Sequence, residues 1–506
     1  MAIAGRPPLG RTGTGVALAA LCAGVFVSGL DQTVVVTVLP QIVTDLHVGV
    51  NELDRAAWIV TAYLLGYTAA MPLLGRAADV YGHRLLFALC CALFAGGSWW
   101  AALTGNLWEL VAARGLQAAG GGGMVPIALA AAAALTGDRM RVVALGAVAG
   151  AAEAGAVLGP LYGALMLEAF GWRSVFWVNL PLAALLVFAV ATLLRARPMR
   201  MGRVDYVGAV LVGLSLLALS LGFSGENVVA PRYRVPLVAL AALFALGFLL
   251  WSRRARWPLI ALPLFRAAAF ASANAANLLI GAALIVALVE VPLFALVILD
   301  RDATFGGLLL LRLTALIPVG AVVGGWLAAR LPYSLVAAAG MGASAAGFAR
   351  LSGWDAGIVE PVLSLDLALT GFGFGLVLAP LAGSVLGAAR GGSEAIGAAV
   401  LTVARMLGMM GGLAALTTWG LGEFNRRVSR FPLPLREREQ SEAVYQELLE
   451  RYEANVEASA LYVFDRLFLI AGVLCALAII PACWLRPPDR HGGGHEEQTG
   501  PDDDRL

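Results

Sequence analysis

Long apolar runs recur along the whole chain, separated by short polar stretches. Each run holds about 17 to 28 residues, and about 20 apolar residues in a helix cross the hydrocarbon core of a bilayer. The first run is too long for a signal peptide and contains Asp31, so we interpret it as a membrane span. The pattern predicts an all-α membrane protein with fourteen transmembrane helices, approximately at residues 15–39, 56–75, 84–104, 107–129, 142–167, 174–194, 205–223, 236–252, 268–297, 305–329, 333–351, 366–389, 395–421 and 461–485.

The arginines indicate which ends of these helices face the cytoplasm. They crowd into alternate short loops, as at Arg195, Arg197 and Arg200, and are sparse in the short loops between. Because short cytoplasmic loops are enriched in basic residues, this alternation predicts a multi-pass protein with both termini in the cytoplasm. We call the side so assigned the inner side. The segment 486–506 is polar and glycine-rich, and we predict a disordered cytoplasmic tail there.

One predicted outer loop, residues 423–460, is much longer than the others. It has helix formers and neither Gly nor Pro after Pro434, and Val444, Leu448, Tyr452 and Val456 recur at every fourth position. This spacing places the four side chains on one face of a charged helix. We expect the last membrane helix to extend beyond the bilayer, either as a solvated cap or as a surface that docks or guides another molecule.

The composition agrees with an integral membrane protein and excludes several functions. Hydrophobic residues make up 60% of the chain and charged residues 13%, with a mean hydropathy of +0.82; a soluble domain averages about 25% charged residues. The sequence has no lysine, so it cannot form a Walker A loop or a Schiff base. Its four histidines lie in predicted loops or the tail, so a zinc-binding HExxH helix is excluded as well. We predict a protein that is not an enzyme, has no metal site or cofactor, does not bind nucleic acid, and draws its energy from a gradient or another protein.

Ionisable residues inside the predicted spans are the strongest functional signal. A charge in the bilayer is costly unless it is paired or faces water, and three acids with three bases suggest pairs. Glu153 and Arg405 lie about 11 and about 10 residues from the inner ends of their helices, which gives both a depth of roughly 15 to 17 Å. The same comparison of depth pairs Asp31 with Arg114. It also pairs Glu290 with Arg312, as a second intramembrane pair nearer the outer side. The six residues are Asp31, Arg114, Glu153, Glu290, Arg312 and Arg405.

A weak internal repeat supports a transport role for these charges. GAVAGAAEAGAVLG (146–159) resembles GAAVLTVARMLGMMGG (397–412), and aligning Gly146 with Gly397 places Glu153 one position from Arg405. Two pseudo-equivalent halves around a midplane site are typical of secondary transporters. Alternatively, the pairs only fix the register of the helices, and for Glu290 and Arg312 this stays open. A sensor or scaffold is disfavoured by the midplane charges, and an enzyme by the lack of nucleophiles and metal ligands in the spans.

The motif GRAADVYGHR resembles the signature loop between helices 2 and 3 of the major facilitator superfamily. Val80 and His83 stand where that family usually has arginine. The resemblance implies two pseudo-symmetric six-helix bundles plus two extra helices, with an inner gate in which Asp79 and Arg84 hold the halves together. The expected division is 1–14 for the cytoplasmic N-terminus, 15–195 for the first bundle, 196–267 for a two-helix insertion and 268–485 for the second bundle. The matching loop residues are Gly75, Asp79, Gly82 and Arg84.

Two further motifs resemble those of exporters in this superfamily. GAVLGPLYG resembles the antiporter motif of helix 5, with Ala164 in place of a glycine. Its small residues allow close helix approach and its proline kinks a helix, so we expect a hinge at Gly155, Gly159, Pro160 and Gly163. RGLQAAGGGG resembles the helix 4 motif whose arginine, here Arg114, takes part in proton coupling. On that resemblance we expect Asp31 and Arg114 to form the coupling pair.

Other stretches resemble the fourteen-helix drug:proton antiporter branch: LDQTVVVTVLPQI (30–42) and WRSVFWVNLP (172–181). Within that branch, TAYLLGYTAAMPLLGRA, AAEAGAVLGPLYG and ARMLGM are most similar to the mycobacterial inner-membrane exporters of triacylglycerides. The resemblance implies a proton-coupled exporter of triacylglycerides or related lipids in a bacterial inner membrane. It also implies a monomer that works with a periplasmic lipid-carrying lipoprotein.

The alternative that the sequence leaves open is a multidrug efflux antiporter for amphiphilic cations. Such a pump needs an unpaired acid that faces its cavity. A lipid pump needs an apolar cavity that opens sideways to the bilayer, with its acids neutralised. The equal numbers of acids and bases in the spans favour the lipid pump.

Overall fold

The computed structural model describes residues 11–48, 53–194, 203–223, 229–433 and 442–487, and the regular elements in these ranges are all helical. The predicted tail beyond 487, the N-terminal residues 1–10 and residues 434–441 of the long outer loop lie outside them. The helices are α1 (Arg11–Asp45), α2 (Leu53–Tyr81), α3 (His83–Leu103), α4 (Leu107–Leu135), α5 (Asp138–Phe170), α6 (Arg173–Leu193), α7 (Tyr206–Gly222), α8 (Pro231–Arg254), α9 (Ala268–Val297), α10 (Ala303–Thr314), α11 (Leu316–Ala328), α12 (Tyr333–Leu351), α13 (Val362–Ala388), α14 (Glu394–Val428) and α15 (Glu442–Ala482), with a short 3₁₀ turn at Leu262–Arg266.

The prediction of an all-α membrane protein is confirmed. Thirteen segments of the described chain have the length and composition needed to cross a membrane, and α7 is a shorter apolar helix of 17 residues. One of the thirteen, Thr304–Ala328, is interrupted where α10 ends at Thr314 and α11 begins. Pro318 explains this break, because it lacks the N–H that would bond to the carbonyl of Thr314 four residues earlier.

Two groups of helices pack within themselves through small residues. In the first group α1 packs on α5, and α4 packs on α2 and α3; in the last group α9 packs on α14, and α13 packs on α11 and α12. A Cβ added at Gly120 or at Gly371 would collide with the carbonyl oxygen of Cys90 or of Leu313. Backbones therefore lie in direct contact, which is how membrane helices gain van der Waals energy without a hydrophobic driving force.

The helices α7 and α8 pack on each other, and α7 packs on α2 beside α14, where the two groups meet. Ala209 and Leu216 of α7 share an apolar cluster with Tyr67 of α2 and Ile396 of α14. Asp205 links α7 to α8 at the N-terminal end of α7. Its carboxylate caps α7 and accepts hydrogen bonds from Trp251 Nε1 (2.9 Å) and the backbone N–H of residue 259 (3.1 Å). The seam between α2 and α14 is thereby covered from the side.

The last helix, α15, is much longer than a bilayer requires. Its 41 residues correspond to about 60 Å, twice the hydrocarbon thickness of roughly 30 Å. The excess lies at its outer end, where Val444 and Leu448 are 47% and 40% exposed. Nearer the bilayer α15 is braced against α14, because Arg427 lies over the Tyr462 ring at 3.3 Å and donates to Glu423 (2.9 Å).

Candidate functional site

Asp31 and Arg114 form an ion pair inside the first group of helices. Arg114 Nη1 donates to Asp31 Oδ2 at 2.6 Å, and both residues have no exposed surface. Arg114 also lies over the Tyr63 ring, 4.1 Å from its centre. Two charges buried this deeply are stable only if their remaining hydrogen-bonding positions are filled.

Three uncharged residues fill most of those positions. Gln117 bridges the pair, since its amide oxygen accepts from Arg114 and its amide nitrogen donates to Asp31 Oδ1. Asn179 of α6 donates to the same carboxylate oxygen at 3.0 Å. Ser98 of α3 accepts hydrogen bonds from both amides. The acid is thus enclosed by a polar cluster that draws on α1, α3, α4 and α6.

Glu153 and Arg405 meet across the interface between the two groups. Arg405 Nη1 on α14 donates to Glu153 Oε1 on α5 at 2.6 Å, and the side chains are 19% and 17% exposed. Beside the pair lies a cavity of about 50 Å³ with a mostly aliphatic wall, to which Leu129 and Leu378 belong. It holds a few water molecules at most. A larger substrate requires the surrounding helices to separate.

The glycines of the helix 5 motif pack α5 against α1, within the first group. A Cβ at Gly155 would collide with the Phe26 carbonyl, and one at Gly159 with the Thr33 hydroxyl. Pro160 leaves the Ala156 carbonyl without an intrahelical donor. The Thr33 hydroxyl donates to that carbonyl at 2.8 Å, and α5 continues through the proline without a break. A Cβ at Gly163 would likewise lie only 3.0 Å from the Val34 carbonyl oxygen.

Asp79 joins the two groups at the inner side. Its carboxylate accepts hydrogen bonds from the backbone N–H groups of Ala395 (2.9 Å) and Ile396 (3.0 Å), in the first turn of α14. These amides have no partner within their helix, and the helix dipole favours a negative charge there. A Cβ at Gly75 would lie 2.9 Å from the Ala395 carbonyl oxygen, so this glycine permits the close approach of α2 and α14.

The inner contact differs from the expected gate in its basic residues. Gly82 has φ +97°, a conformation that favours glycine, and it separates α2 from α3. The side chain of Arg84, the second residue of α3, makes no hydrogen bond or ion pair with any described residue, so among these residues the inner contact is made by Asp79 and not by Arg84. Arg76 and Arg141 cross to the other group instead and donate to the carbonyls of residues 392 (3.4 Å) and 386 (3.1 Å).

Glu290 and Arg312 do not form the predicted second pair. Arg312 is ion-paired with Glu360, just before α13, and donates to the Ser364 hydroxyl at 2.9 Å. Glu290 is buried on α9 at 8% exposure and has no hydrogen-bond partner among the described residues. Matched depth was an insufficient criterion here, because it does not determine in which direction a side chain leaves its helix.

A family model described as Major Facilitator Superfamily matches residues 21–413. The chain belongs to this superfamily. It is therefore a membrane transporter and not an enzyme, as the sequence predicted.

Several curated members of the superfamily are similar to this chain over most of its length. A triacylglyceride transporter of Mycolicibacterium hassiacum is 41% identical over 434 residues, covering 82% of this chain and 81% of that protein. Triacylglyceride transporters of Mycolicibacterium smegmatis and Mycobacterium tuberculosis are each 36% identical. Their alignments cover 97% of this chain, with 91% and 98% of the respective relative.

Solved structures agree on the fold of this superfamily member. A proton:xylose symporter superposes with a TM-score of 0.57 at 11% identity, covering 92% of this chain and 95% of that one. The Escherichia coli fucose:proton symporter gives a TM-score of 0.56 at 14% identity, with 91% and 98% coverage. At these identities the likeness concerns the fold alone.

The uncharged members of the polar cluster around Asp31 and Arg114 are not among the residues predicted from the sequence. Ser98, Gln117 and Asn179 are polar residues in apolar spans, and each is almost fully buried. Their signal in the sequence is a polar side chain within an apolar span, because an amide or hydroxyl in lipid requires a partner just as a charge does. Thr33 and Glu360 were missed for related reasons: a threonine satisfies itself easily in a helix, and the glutamate falls in a loop.

Proposed function

We propose that this protein is a proton-coupled exporter that moves triacylglycerides or related lipids from the inner membrane towards the periplasm by alternating access. The observation that carries the proposal is the Glu153–Arg405 pair, which spans the two helix groups beside an aliphatic cavity. A neutralised charge centre suits an uncharged, apolar substrate. The related mycobacterial proteins are triacylglyceride transporters, which agrees with this substrate class.

The outer part of α5 has an exposed apolar surface that supports a route for lipid from the bilayer. The inner half of α5 packs on α11, where Gly150 lies against the Pro318 carbonyl. Beyond Pro160, α5 instead presents Leu161 and Leu165, which are 56% and 55% exposed. We propose that acyl chains enter between the outer part of α5 and α10. The opposite seam, between α2 and α14, is covered by α7 and α8, so this route is one-sided.

The coupling site in this proposal is the Asp31–Arg114 pair. Arginine stabilises the charged acid and burial opposes it, so a small rearrangement can change its protonation. Protonation from the periplasmic side would weaken the pair and bias the conformational equilibrium. The inner contact at Asp79 would then open and close with each cycle.

The outer part of α15 is the proposed meeting place with a periplasmic lipid-carrying lipoprotein. It carries Val444 and Leu448 among charged residues, beyond the reach of the bilayer. A single chain brings together all the sites above, so we propose a monomer. We propose that both termini lie in the cytoplasm, and the arginine distribution supports this orientation.

Transport by the purified protein in liposomes tests the proposal. The liposomes contain a fluorescent triacylglyceride, and its transfer to acceptor vesicles is measured with and without a pH gradient. Ethidium, an amphiphilic cation, is measured in parallel. Asp31→Asn is compared with a matched control, Glu360→Gln, which removes an acid outside the proposed pathway.

We expect gradient-dependent lipid transfer in the wild type and the control, its loss in Asp31→Asn, and no ethidium transport. Gradient-driven ethidium movement without lipid transfer would instead establish the multidrug function. Lipid transfer that is the same with and without the pH gradient would refute proton coupling.

A further inference from the structure

The amide of Gln117 has its orientation fixed by its neighbours. Gln117 Nε2 donates to Asp31 Oδ1 (2.8 Å) and to Ser98 Oγ (2.7 Å), while Gln117 Oε1 accepts from Arg114 Nη1 (2.6 Å). Arginine has donors only and an ionised carboxylate has acceptors only. The amide oxygen must therefore face Arg114 and the amide nitrogen must face Asp31, for as long as Asp31 is charged.

A proton on Asp31 Oδ1 is incompatible with this orientation of the Gln117 amide. That oxygen accepts from both Gln117 Nε2 and Asn179 Nδ2, so the new O–H would face two N–H donors. If the Gln117 amide turns by half a rotation, its oxygen accepts from the O–H. Its N–H groups then face the guanidinium of Arg114, which has no acceptor. Arg114 must move away from the cluster.

Asn179 could also turn, but with a different consequence. It donates to Asp31 and Ser98 and makes no hydrogen bond to Arg114. Its inversion would therefore satisfy the new O–H and leave the arginine in place. Gln117 is the residue, among those described, whose side chain is bonded to both members of the ion pair.

The remaining groups around Asp31 cannot take over this role. Arg114 from α4 is the charged neighbour; the titratable neighbours are Tyr63 from α2 and Tyr162 from α5. Tyr63 donates its hydroxyl to the Ser28 carbonyl at 3.3 Å and presents its ring to Arg114. The elements α3 and α6 contribute the neutral Ser98 and Asn179.

We infer that Gln117 is a positioning residue that transmits protonation of Asp31 to Arg114 by inversion of its side-chain amide. The inference rests on the proposed function, in which Asp31 is the titrating acid. One proton is added to Asp31 Oδ1, the hydrogen bond from Gln117 to Asp31 is replaced by one from the new O–H to Gln117 Oε1, and the bond from Arg114 to Gln117 is lost. No covalent bond other than the new O–H is formed or broken.

The test compares protonation with conformational change in the purified, full-length protein. Infrared difference spectra follow the protonated carboxyl band during a pH titration, and Asp31→Asn identifies the band by its absence. Hydrogen exchange at residues 394–399, corrected for the intrinsic effect of pH, reports opening of the inner contact. In the wild type the two titrations should share one midpoint.

Gln117→Leu and Asn179→Leu are the matched pair of variants. Each removes one N–H donor from Asp31 Oδ1, so each should move the carboxyl midpoint upward by about one pH unit or more. In Asn179→Leu the exchange response should move with it. In Gln117→Leu it should be lost or no longer follow the band. Gln117→Met, which has a similar length and no amide, replaces Gln117→Leu if that variant does not insert stably.

The outcomes separate the inference from the proposed function. If the exchange response follows the carboxyl band in Gln117→Leu and Gln117→Met as it does in Asn179→Leu, transmission through Gln117 is refuted. If the wild type has no band that depends on Asp31, the proposed coupling site itself fails.

Discussion

The ion pair between Glu153 and Arg405 allows a quantitative test of alternating access. Breaking a buried pair by removing one partner costs about 3–5 kcal/mol, because the other charge is left uncompensated. The two side chains are 19% and 17% exposed, so we take the lower end, about 3 kcal/mol. Since 1.4 kcal/mol is a factor of ten, either single alanine variant should shift the balance between joined and separated helix groups by about 100-fold.

A double-mutant cycle measures this effect. Glu153→Ala, Arg405→Ala and the double variant are compared with the wild type in thermal unfolding and in lipid transfer. Both single variants should be inactive and destabilised, and the double variant should be less destabilised than the sum of the two. A charge-swapped protein, Glu153→Arg with Arg405→Glu, should recover part of the transport. Single effects that add to within about 0.5 kcal/mol would show that the two charges act independently and would refute the reasoning.

Three further predictions concern the ends of the helices. Asp79→Asn should weaken the inner contact by about 1–2 kcal/mol, because one amide oxygen replaces two acceptors; hydrogen exchange in the first turn of α14 should rise, whereas the control Arg84→Gln should leave it unchanged. The Ser364 hydroxyl and the Arg312 guanidinium hold the pKa of Glu360 below its ordinary value, so this acid stays ionised at neutral pH and contributes stability that is lost only as the pH falls through that lowered value. Glu360→Gln should therefore leave the pH dependence of transport near neutrality unchanged, and a shifted profile would contradict this assignment. Deletion of residues 442–456 should abolish lipid delivery in cells but preserve the pH-dependent hydrogen exchange of the purified protein; intact delivery would make the outer part of α15 a solvated cap.

Much of this fold can be predicted from the sequence, because the membrane restricts the possible structures. Each span must satisfy its backbone internally and must match a fixed thickness, so run length alone locates the helices. The break between α10 and α11 does not follow from the length and hydrophobicity of the apolar run 305–329. Pro318 was the available signal, since a proline in a helix interior removes a hydrogen bond to the residue four positions earlier.

The site is harder to predict from the sequence, because the sequence gives only one of the three coordinates of a side chain, its depth in the membrane. Depth along the membrane normal follows from residue counting, and it suggested partners that lie in contact for Glu153 and Asp31. The same reasoning failed for Arg312, whose side chain reaches towards α13 and a glutamate outside the predicted spans. Rotation about the helix axis and the positions of neighbouring helices are set by packing of the whole molecule.

The contact between α1 and α5 has a mechanical consequence. A Cβ at residue 155, 159 or 163 would clash with α1, so the two helices lie in close contact, and Thr33 replaces the hydrogen bond that Pro160 cannot make. The helices therefore cannot slide or roll against each other without losing that bond and colliding. Asp31 lies on α1 and Glu153 lies on α5, so we expect the two charged sites to move together as one rigid unit. In the proposed function, a movement of α1 caused by protonation of Asp31 would therefore be passed directly to α5.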